Sequence, residues 1–319
     1  MTRAFLFPGQ GSQQVGMGKA LAEAFAAARE VFAEVDDALS QKLSRIMWEG
    51  PESDLTLTEN AQPAIMAASI AVLRVMKKEF GLDVARHAGL VMGHSLGEYS
   101  ALCAAGAFTL ADAARLLKIR GQAMQSAVPV GEGGMVALIG AEIEQAEAVA
   151  KEAAAPVGDY KGGVCVVAND NAPGQVVISG SAEAIARAPD IAKAKGIKRA
   201  IPLAVSAPFH CPLMQPAAER MREALAAVTV RPLVVPVLAN VTAAIAADPD
   251  AVRDLLVEQV TGRVRWRESV AGLKGLGVNT TVEFGGGKVL TGMVKRIDKE
   301  LATITLDSPA DLEAFAKAL

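Results

Sequence analysis

Gly93-His94-Ser95-Leu96-Gly97 places a serine between two glycines, where an apolar run (Leu90, Val91, Met92) meets a helix-compatible segment (98–107). A strand–turn–helix with a serine at its apex is a nucleophile elbow. Glycine permits the sharp turn and the close backbone approach that this geometry needs. The serine also falls at a helix N-terminus, where free N–H groups favour developing negative charge. An ordinary glycine-rich turn fits the pentapeptide as well, so residues elsewhere must decide.

Composition limits the classes of protein to which the chain can belong. Its 319 residues are 51% hydrophobic and 21% charged, with a net charge of −3, which argues against nucleic acid as a partner. No run approaches the ~18 apolar residues of a membrane helix, and the apolar N-terminal run is too short for a secretory signal. Three cysteines without a Cys-x-x-Cys pair favour neither disulfides nor zinc, and we expect a cytoplasmic protein.

The first loop contains glycines that invite a phosphate-binding interpretation. Ala4–Phe7 predicts a buried strand that ends at Pro8-Gly9. Gly9-x-Gly11 would need a third glycine at position 14, where Gln14 stands, and no Gly-Lys-Ser/Thr follows. A loop of this kind can instead present backbone N–H groups to an oxyanion.

Two helices are predicted on either side of the elbow. Residues 56–59 have the spacing of a capping box, which predicts a long helix that ends at Gly81. After Thr109, apolar residues recur at spacings of three and four, and Arg120 falls on the same face. An arginine on the inward face of a helix needs an anion.

The middle of the chain predicts a separate unit. Between Pro129 and Arg199 the pattern reads strand, helix, strand, strand, helix, strand, which is a ferredoxin-like βαββαβ arrangement. Residues 169–174 are expected to form the turn between its two middle strands. We therefore expect a ferredoxin-like subdomain at residues 129–199, inserted into a discontinuous large domain at 1–128 and 200–319.

The large domain is predicted to have an α/β fold. Strands alternate with helices through most of it, which favours a mainly parallel, hydrolase-like sheet with helices on both faces. Its later elements include a strand at 234–238, a helix at 249–260, strands at 281–284 and 303–306, and a glycine turn at 285–287.

A serine hydroxyl needs a base, and the chain has three histidines. His87 lies in a charged stretch and is expected to be solvated. His94 adjoins Ser95 in a tight turn, which leaves a packing or a substrate-polarising role. His210 lies on an irregular segment between two prolines and is the base by elimination, whereas no acidic residue stands out as a third member.

Six motifs, in this order, resemble those of the malonyl-CoA:acyl carrier protein transacylases, essentially from end to end. They are Phe7-Pro8-Gly9-Gln10-Gly11-Ser12-Gln13, Gly93-His94-Ser95-Leu96-Gly97-Glu98-Tyr99, Arg120-Gly121-Gln122-Ala123-Met124, Pro173-Gly174-Gln175-Val176-Val177-Ile178, Ser206-Ala207-Pro208-Phe209-His210 and Gly287-Lys288-Val289-Leu290. That family also has an inserted ferredoxin-like subdomain.

The resemblance implies a ping-pong reaction. Ser95 would take the malonyl group from coenzyme A, with His210 as the base and with the backbone N–H groups of Gln10 and Leu96 as the oxyanion hole. The phosphopantetheine thiol of acyl carrier protein would then receive the group. The family holds its histidine by the carbonyl of a glutamine, which corresponds here to Gln259.

The resemblance also implies how the acyl group is chosen. Arg120 would bind the malonyl carboxylate, and Phe209 would line the acyl pocket, to which His94 is also assigned. No cofactor or metal is implied, and the expected partners are malonyl-CoA and acyl carrier protein, with no nucleic acid, no membrane and a monomeric chain. The carrier protein is acidic, so two basic groups are candidates for docking it. They are Lys193, Lys195, Lys198 and Arg199, and Lys288, Lys295 and Arg296.

Two other functions are compatible with the sequence. A serine hydrolase such as a thioesterase would share Ser95 and His210 but would not require Arg120. A binding or scaffold module would require neither catalytic residue.

Overall fold

The computed structural model describes residues 2–317 and 319, whose ten strands form two sheets. The strands are β1 (Thr2–Phe7), β2 (Leu90–Gly93), β3 (Gly133–Ile139), β4 (Cys165–Ala172), β5 (Gln175–Ser181), β6 (Arg199–Pro202), β7 (Val237–Leu238), β8 (Ile245–Ala246), β9 (Val278–Phe284) and β10 (Ala302–Leu306). The larger sheet has the order β10-β9-β1-β2-β7-β8, and every pair is parallel except the β7–β8 pair. The predicted α/β fold with a mainly parallel sheet is confirmed.

Within the described residues, fifteen α-helices cover the two sheets. They are α1 (Lys19–Ala24), α2 (Ala26–Leu39), α3 (Leu43–Glu49), α4 (Glu52–Thr56), α5 (Thr58–Phe80), α6 (Val84–His87), α7 (Gly97–Ala104), α8 (Leu110–Ser126), α9 (Ile143–Ala154), α10 (Ala182–Ala194), α11 (Gln215–Ala226), α12 (Pro249–Thr261), α13 (Trp266–Gly272), α14 (Val289–Ile297) and α15 (Pro309–Ala316). No helix of residues 2–317 and 319 is long and apolar enough to cross a membrane.

The two faces of the larger sheet are both buried, because each has its own apolar cluster. Phe5 and Phe7 of β1 point to the cluster that contains α2, α5 and α8, and Phe284 of β9 packs against both rings. Ala4 and Leu6 point to the opposite cluster, which contains Trp266 of α13. This alternation explains why β1 is apolar at four successive positions.

The elbow is built by close backbone contact between β1, β2 and α7. The strands pair in parallel, with Phe7 opposite Gly93. A Cβ added at Gly97 would lie 2.2 Å from the carbonyl oxygen of Phe7, and one added at Gly93 would lie 2.0 Å from the backbone of Gly97. Only glycine fits at these two positions. Ser95 between them has a φ of 53°, a left-handed value that a non-glycine residue rarely adopts.

The smaller sheet has the order β4-β5-β3-β6, and all of its pairs are antiparallel. Together with α9 and α10, which share its apolar core, it forms the predicted ferredoxin-like arrangement. The predicted turn at residues 169–174 is too long, because β4 continues to Ala172 and only Pro173 and Gly174 connect it to β5. Asn169, Asp170 and Asn171 are consequently buried strand residues.

Several polar contacts join the smaller sheet to the larger part of the chain. Two backbone hydrogen bonds connect β4 to Val264. The Asp170 N–H donates to Val264 O (3.0 Å), and the Val264 N–H donates to Ala168 O (2.8 Å). Arg267 also donates to the buried carboxylate of Asp170, with a distance of 2.9 Å from Nε to Oδ2. Val264 lies only two residues after Gly262, whose carbonyl oxygen is close to the ring of His210, the predicted base.

Other local predictions differ from the structure at element ends. The long helix ends at Gly81 as predicted, but the capping box is wrong, because the helix starts at Thr58 and the Thr56 hydroxyl bonds Glu52 O. The strand predicted at 234–238 is reduced to Val237–Leu238. The helix after Thr109 is confirmed, with the Thr109 side chain accepting the Asp112 N–H.

Helices α5 and α8 cross at Gly121, where a side chain has no room. A Cβ there would lie 2.5 Å from Glu59 Cα. We expect Gly121→Ala to lower the free energy of unfolding in urea by about 1–3 kcal/mol, as overpacking does. The matched control is Gly292→Ala in α14, where a Cβ meets nothing within 4 Å. That substitution should raise stability by up to ~1 kcal/mol, and equal effects of the two would contradict the proposed crossing.

Candidate active site

Ser95 and His210 form a hydrogen-bonded pair. Ser95 Oγ lies 2.8 Å from His210 Nε2, although 115 positions separate the two residues in the sequence. Ser95 lies two residues before the start of α7, and His210 lies on the loop after β6 with a φ of 56°. Two left-handed backbone positions at non-glycine residues meet at one hydrogen bond, which is typical of a functional site.

The other nitrogen of the His210 ring faces carbonyl oxygens. Nδ1 lies 2.9 Å from Gln259 O and 3.2 Å from Gly262 O, both near the end of α12. Carbonyls only accept, so Nδ1 carries the hydrogen and Nε2 is left to accept from the serine hydroxyl. Burial, together with the charge of Arg120, lowers the pKa of His210 to about 3. The imidazole is therefore neutral and able to take a proton at neutral pH.

Arg120 lies on the buried face of α8, as predicted, with a side chain that is 1% exposed. Its Nη1 donates to Gln62 Oε1 (2.8 Å), and its Nη2 donates to Gln259 Oε1 (2.9 Å) and to Ser95 Oγ (3.1 Å). Burial lowers the pKa of Arg120, but a guanidinium remains charged in proteins. A buried positive charge thus lies within hydrogen-bond distance of the nucleophile.

Gln259 connects the parts of the site by its side chain as well as by its backbone. The sequence pointed only to its carbonyl, which holds His210. The side chain is also fully buried, and its Nε2 donates to Ser95 O (3.0 Å) and to Glu98 Oε2 (2.9 Å). With Oε1 bonded to Arg120, the Gln259 amide lies between the nucleophile, the guanidinium and a carboxylate.

Glu98 and Asn240 are site residues that the sequence reasoning missed. Glu98 Oε2 accepts the N–H of Asn240 (3.0 Å) and the amide of Gln259, and burial raises its pKa to about 7. The Asn240 side chain accepts a hydrogen bond from the Ser95 N–H (2.8 Å) and donates one to Gly93 O (2.7 Å). It therefore stabilises the backbone conformation of the elbow. The position of Glu98 directly after the elbow could have indicated a role in the site. Nothing in the sequence around Asn240 indicated one.

The backbone N–H groups of Gln10 and Leu96 both belong to residues that line the cavity beside Ser95. Neither N–H donates a hydrogen bond to another of the described residues. The loop that contains Gln10 packs closely against the elbow. A Cβ added at Gly9 would lie only 2.6 Å from His94 O. Both donors are therefore free, which the predicted oxyanion hole requires.

His94 contacts the small sheet and does not contact the nucleophile hydroxyl. Its Nε2 lies 2.7 Å from Asn171 Oδ1 of β4, and its ring lies 5.6 Å from the Trp266 ring, between centroids. Burial lowers the pKa of His94. The residue also lines the cavity, so it both packs against its neighbours and is exposed to a ligand in the cavity, in line with the two roles considered from the sequence.

A cavity of about 320 Å³ lies between the two sheets, with Ser95, His210 and Arg120 in its wall. Large apolar side chains from four segments, Met124, Met135, Phe209 and Met293, are among the other residues that line it. The residues that the structure describes contain no group of three or more histidine, cysteine or acidic side chains that could hold a metal ion. This size and lining suit an elongated, partly apolar ligand with an anionic end.

A serine at an elbow, a neutral histidine and free backbone N–H donors define a class of enzyme that forms an ester on serine. Residues 4–301 match the family model described as acyl transferase domain. The malonyl CoA-acyl carrier protein transacylase of Bacillus subtilis is 45% identical over 316 residues, with 99% of this chain and 96% of that protein covered.

Two solved structures are also similar to the chain. The acyl-carrier-protein-S-malonyltransferase of Bartonella henselae is 54% identical, with a TM-score of 0.95 and with 100% of this chain and 99% of that chain covered. A malonyl-transacylase in complex with a type II PKS acyl-carrier protein is 41% identical, with a TM-score of 0.94 and full coverage of both chains. The chain belongs to the malonyl CoA-acyl carrier protein transacylase family, which confirms the resemblance inferred from its motifs.

The ionisation of His210 can be measured directly. Because burial lowers its pKa to about 3, its imidazole should remain neutral down to pH 5, below the ordinary histidine value of ~6.5. Nitrogen-15 NMR of the histidine side chains across pH 5–8 tests this, with the His210 signal assigned by its loss in His210→Asn. A midpoint near pH 6.5 for that signal would mean that the ring is not buried as described.

Proposed function

We propose that the chain transfers the malonyl group of malonyl-CoA to the phosphopantetheine thiol of acyl carrier protein through an ester on Ser95, in support of fatty acid biosynthesis. The observation that carries this proposal is the buried guanidinium of Arg120, with its Nη2 3.1 Å from Ser95 Oγ. A cation next to the nucleophile is suited to an acyl group that carries its own carboxylate. The names of the relatives support the same substrate and partner.

In the first half-reaction, Ser95 Oγ attacks the thioester carbon as His210 Nε2 takes the hydroxyl proton. The carbonyl oxygen becomes an oxyanion that accepts the N–H groups of Gln10 and Leu96. The intermediate then collapses, the carbon–sulfur bond breaks, and the proton on His210 passes to the departing coenzyme A thiolate. In the second half-reaction the thiol of the carrier protein follows the reverse sequence, which leaves Ser95 and His210 as they began.

Arg120 and Gln259 have complementary roles in this proposal. Arg120 binds the malonyl carboxylate, and a planar guanidinium can do so with two hydrogen bonds. The Gln259 carbonyl orients His210, since Nδ1 lies 2.9 Å from it. Phe209 and His94 line the acyl pocket, where the aromatic ring of Phe209 limits the room for a branched acyl chain.

Further proposals concern the rest of the molecule. We propose that residues 129–199 form the inserted subdomain and that residues 1–128 and 200–319 form the catalytic domain. Of the two basic groups considered for docking carrier protein, the one on α14 has the better support, because Val289, Leu290 and Met293 of that helix line the cavity. The three cysteines are free, as suits a reducing cytoplasm, where we propose that the protein acts.

Intact-protein mass spectrometry tests the first half-reaction. We expect malonyl-CoA to add one malonyl group, located on Ser95 by peptide mapping, and expect added acyl carrier protein to remove it as malonyl-carrier product. Ser95→Ala, the matched control, should remain unmodified. Release of free malonate in place of the carrier product would indicate the thioesterase alternative, and an adduct on another residue would contradict the mechanism.

Arg120→Ala tests the choice of acyl group. We expect the ratio of acylation rate constants for malonyl-CoA and acetyl-CoA to fall by at least ~10²-fold, because loss of a buried charged partner removes several kcal/mol. Stopped-flow acylation with the two thioesters gives the ratio directly. Arg45→Ala, at a side chain that is 77% exposed, is the control and should leave it unchanged. An unaltered ratio in Arg120→Ala would overturn the assignment of the carboxylate site.

A further inference from the structure

The proposed reaction gives no role to Glu98, although this carboxylate is 2% exposed and lies at the first turn of α7, three residues after the nucleophile. Its Oε2 accepts two N–H donors, from Asn240 (3.0 Å) and from the Gln259 side chain (2.9 Å). Burial raises the pKa of Glu98 to about 7, and the two N–H donors favour its ionised form, so the group is mainly ionised at pH 8. The first turn of a helix also favours a negative charge.

The Gln259 amide links Glu98 to Arg120 in one orientation only. Its NH₂ faces two acceptors, Glu98 Oε2 and Ser95 O, and its oxygen faces a donor, Arg120 Nη2. The flipped amide would oppose oxygen to oxygen at one end and N–H to N–H at the other. The carboxylate and the guanidinium are therefore two hydrogen bonds apart, with a fixed dipole between them.

No carboxylate of the described residues forms a direct ion pair with Arg120. The negative charge of Glu98 nevertheless favours the charged guanidinium, because it works against the lowering of the pKa of Arg120 by burial. A buried charge without any compensation is costly, whereas a carboxylate paired directly with Arg120 would compete with the substrate for its N–H groups. Because the Gln259 amide lies between them, Glu98 compensates the charge of Arg120 in part without forming a direct ion pair with it. The guanidinium therefore remains in contact with Ser95.

We propose that Glu98 is a specificity-determining positioning residue, whose negative charge, relayed through the Gln259 amide, holds Arg120 beside Ser95 and limits how strongly the site retains an anionic acyl group. The proposal rests on the proposed function. A transferase must release its acyl group to the second thiol, so an arginine that bound the malonyl carboxylate too tightly would favour the acyl-enzyme over the product. Glu98 keeps this binding moderate, because it repels the malonyl carboxylate while it attracts the guanidinium.

Glu98→Gln separates the charge from the geometry. The Asn240 N–H and the Gln259 NH₂ both donate to one oxygen, so the carbonyl oxygen of the introduced amide takes that position, and both hydrogen bonds remain. The site loses only the negative charge. At pH 8 we expect the malonyl-to-acetyl ratio of acylation rate constants to rise by on the order of tenfold. The reason is that the malonyl carboxylate would no longer be repelled by the charge of Glu98, and such repulsion is weakly screened inside a protein.

An equilibrium measurement gives a second readout. Malonyl-CoA and enzyme exchange reversibly with malonyl-enzyme and coenzyme A, and mass spectrometry at several coenzyme A concentrations gives the equilibrium constant. Glu98→Gln should shift this constant toward malonyl-enzyme by a similar factor and leave the acetyl constant unchanged. A merely structural role for Glu98 would lower both acylation rates in parallel and shift neither the ratio nor the constant.

Two further variants complete the test. Asp36→Asn neutralises another buried carboxylate, which accepts Ser44 N (2.8 Å) away from the cavity, and should change nothing. Glu98→Asp keeps the charge, so both rates should fall while their ratio stays within about threefold of the wild-type value. A tenfold change of the ratio in Glu98→Asp, or an unchanged or lowered ratio in Glu98→Gln, overturns the proposal.

The wild-type protein separates this result from a failure of the proposed function. Wild-type protein that forms no malonyl ester on Ser95 overturns both proposals. Wild-type protein that forms the ester, together with a Glu98→Gln variant of unaltered ratio, overturns only the role of Glu98.

Discussion

The buried guanidinium of Arg120 is the constraint on which the site depends. A positive charge that is 1% exposed needs acceptors, and three of them, on Gln62, Gln259 and Ser95, contact its two Nη atoms. Each acceptor comes from a different helix or turn, so the charge fixes how α5, α8, α12 and the elbow meet. The site is therefore assembled only when these elements have packed together.

A second constraint acts through the backbone. The elbow brings Ser95 to the cavity because Gly93 and Gly97 allow main-chain atoms to approach closer than any Cβ would permit. Such a turn has few side-chain contacts of its own. Asn240 supplies them from another segment, by accepting Ser95 N and donating to Gly93 O. The left-handed φ of Ser95 is thus maintained by its surroundings.

The sequence predicted those features that local patterns encode. The alternation of strands and helices predicted the parallel sheet, and the βαββαβ order predicted the smaller one. The inward position of Arg120 followed from helical spacing, but its partners did not, since Gln62 and Gln259 lie 58 and 139 positions away in the chain. The predicted turn at 169–174 was wrong because three polar residues suggested a loop, whereas the tertiary structure buries them in β4 against His94 and α13.

The way in which His210 is held bears on the specificity of the chemistry. Its Nδ1 faces neutral carbonyls, so no carboxylate there stabilises the imidazolium that forms when Ser95 is deprotonated. Arg120 opposes that imidazolium further, since its charge is the second cause, after burial, of the low pKa of His210. In the proposed function, a malonyl carboxylate bound to Arg120 would neutralise this charge and raise the basicity of His210, whereas an acetyl group would do neither. On that proposal, selection of the anionic acyl group would act on the proton transfer as well as on binding, because the charge that binds the substrate carboxylate also lowers the basicity of His210 until the substrate is bound.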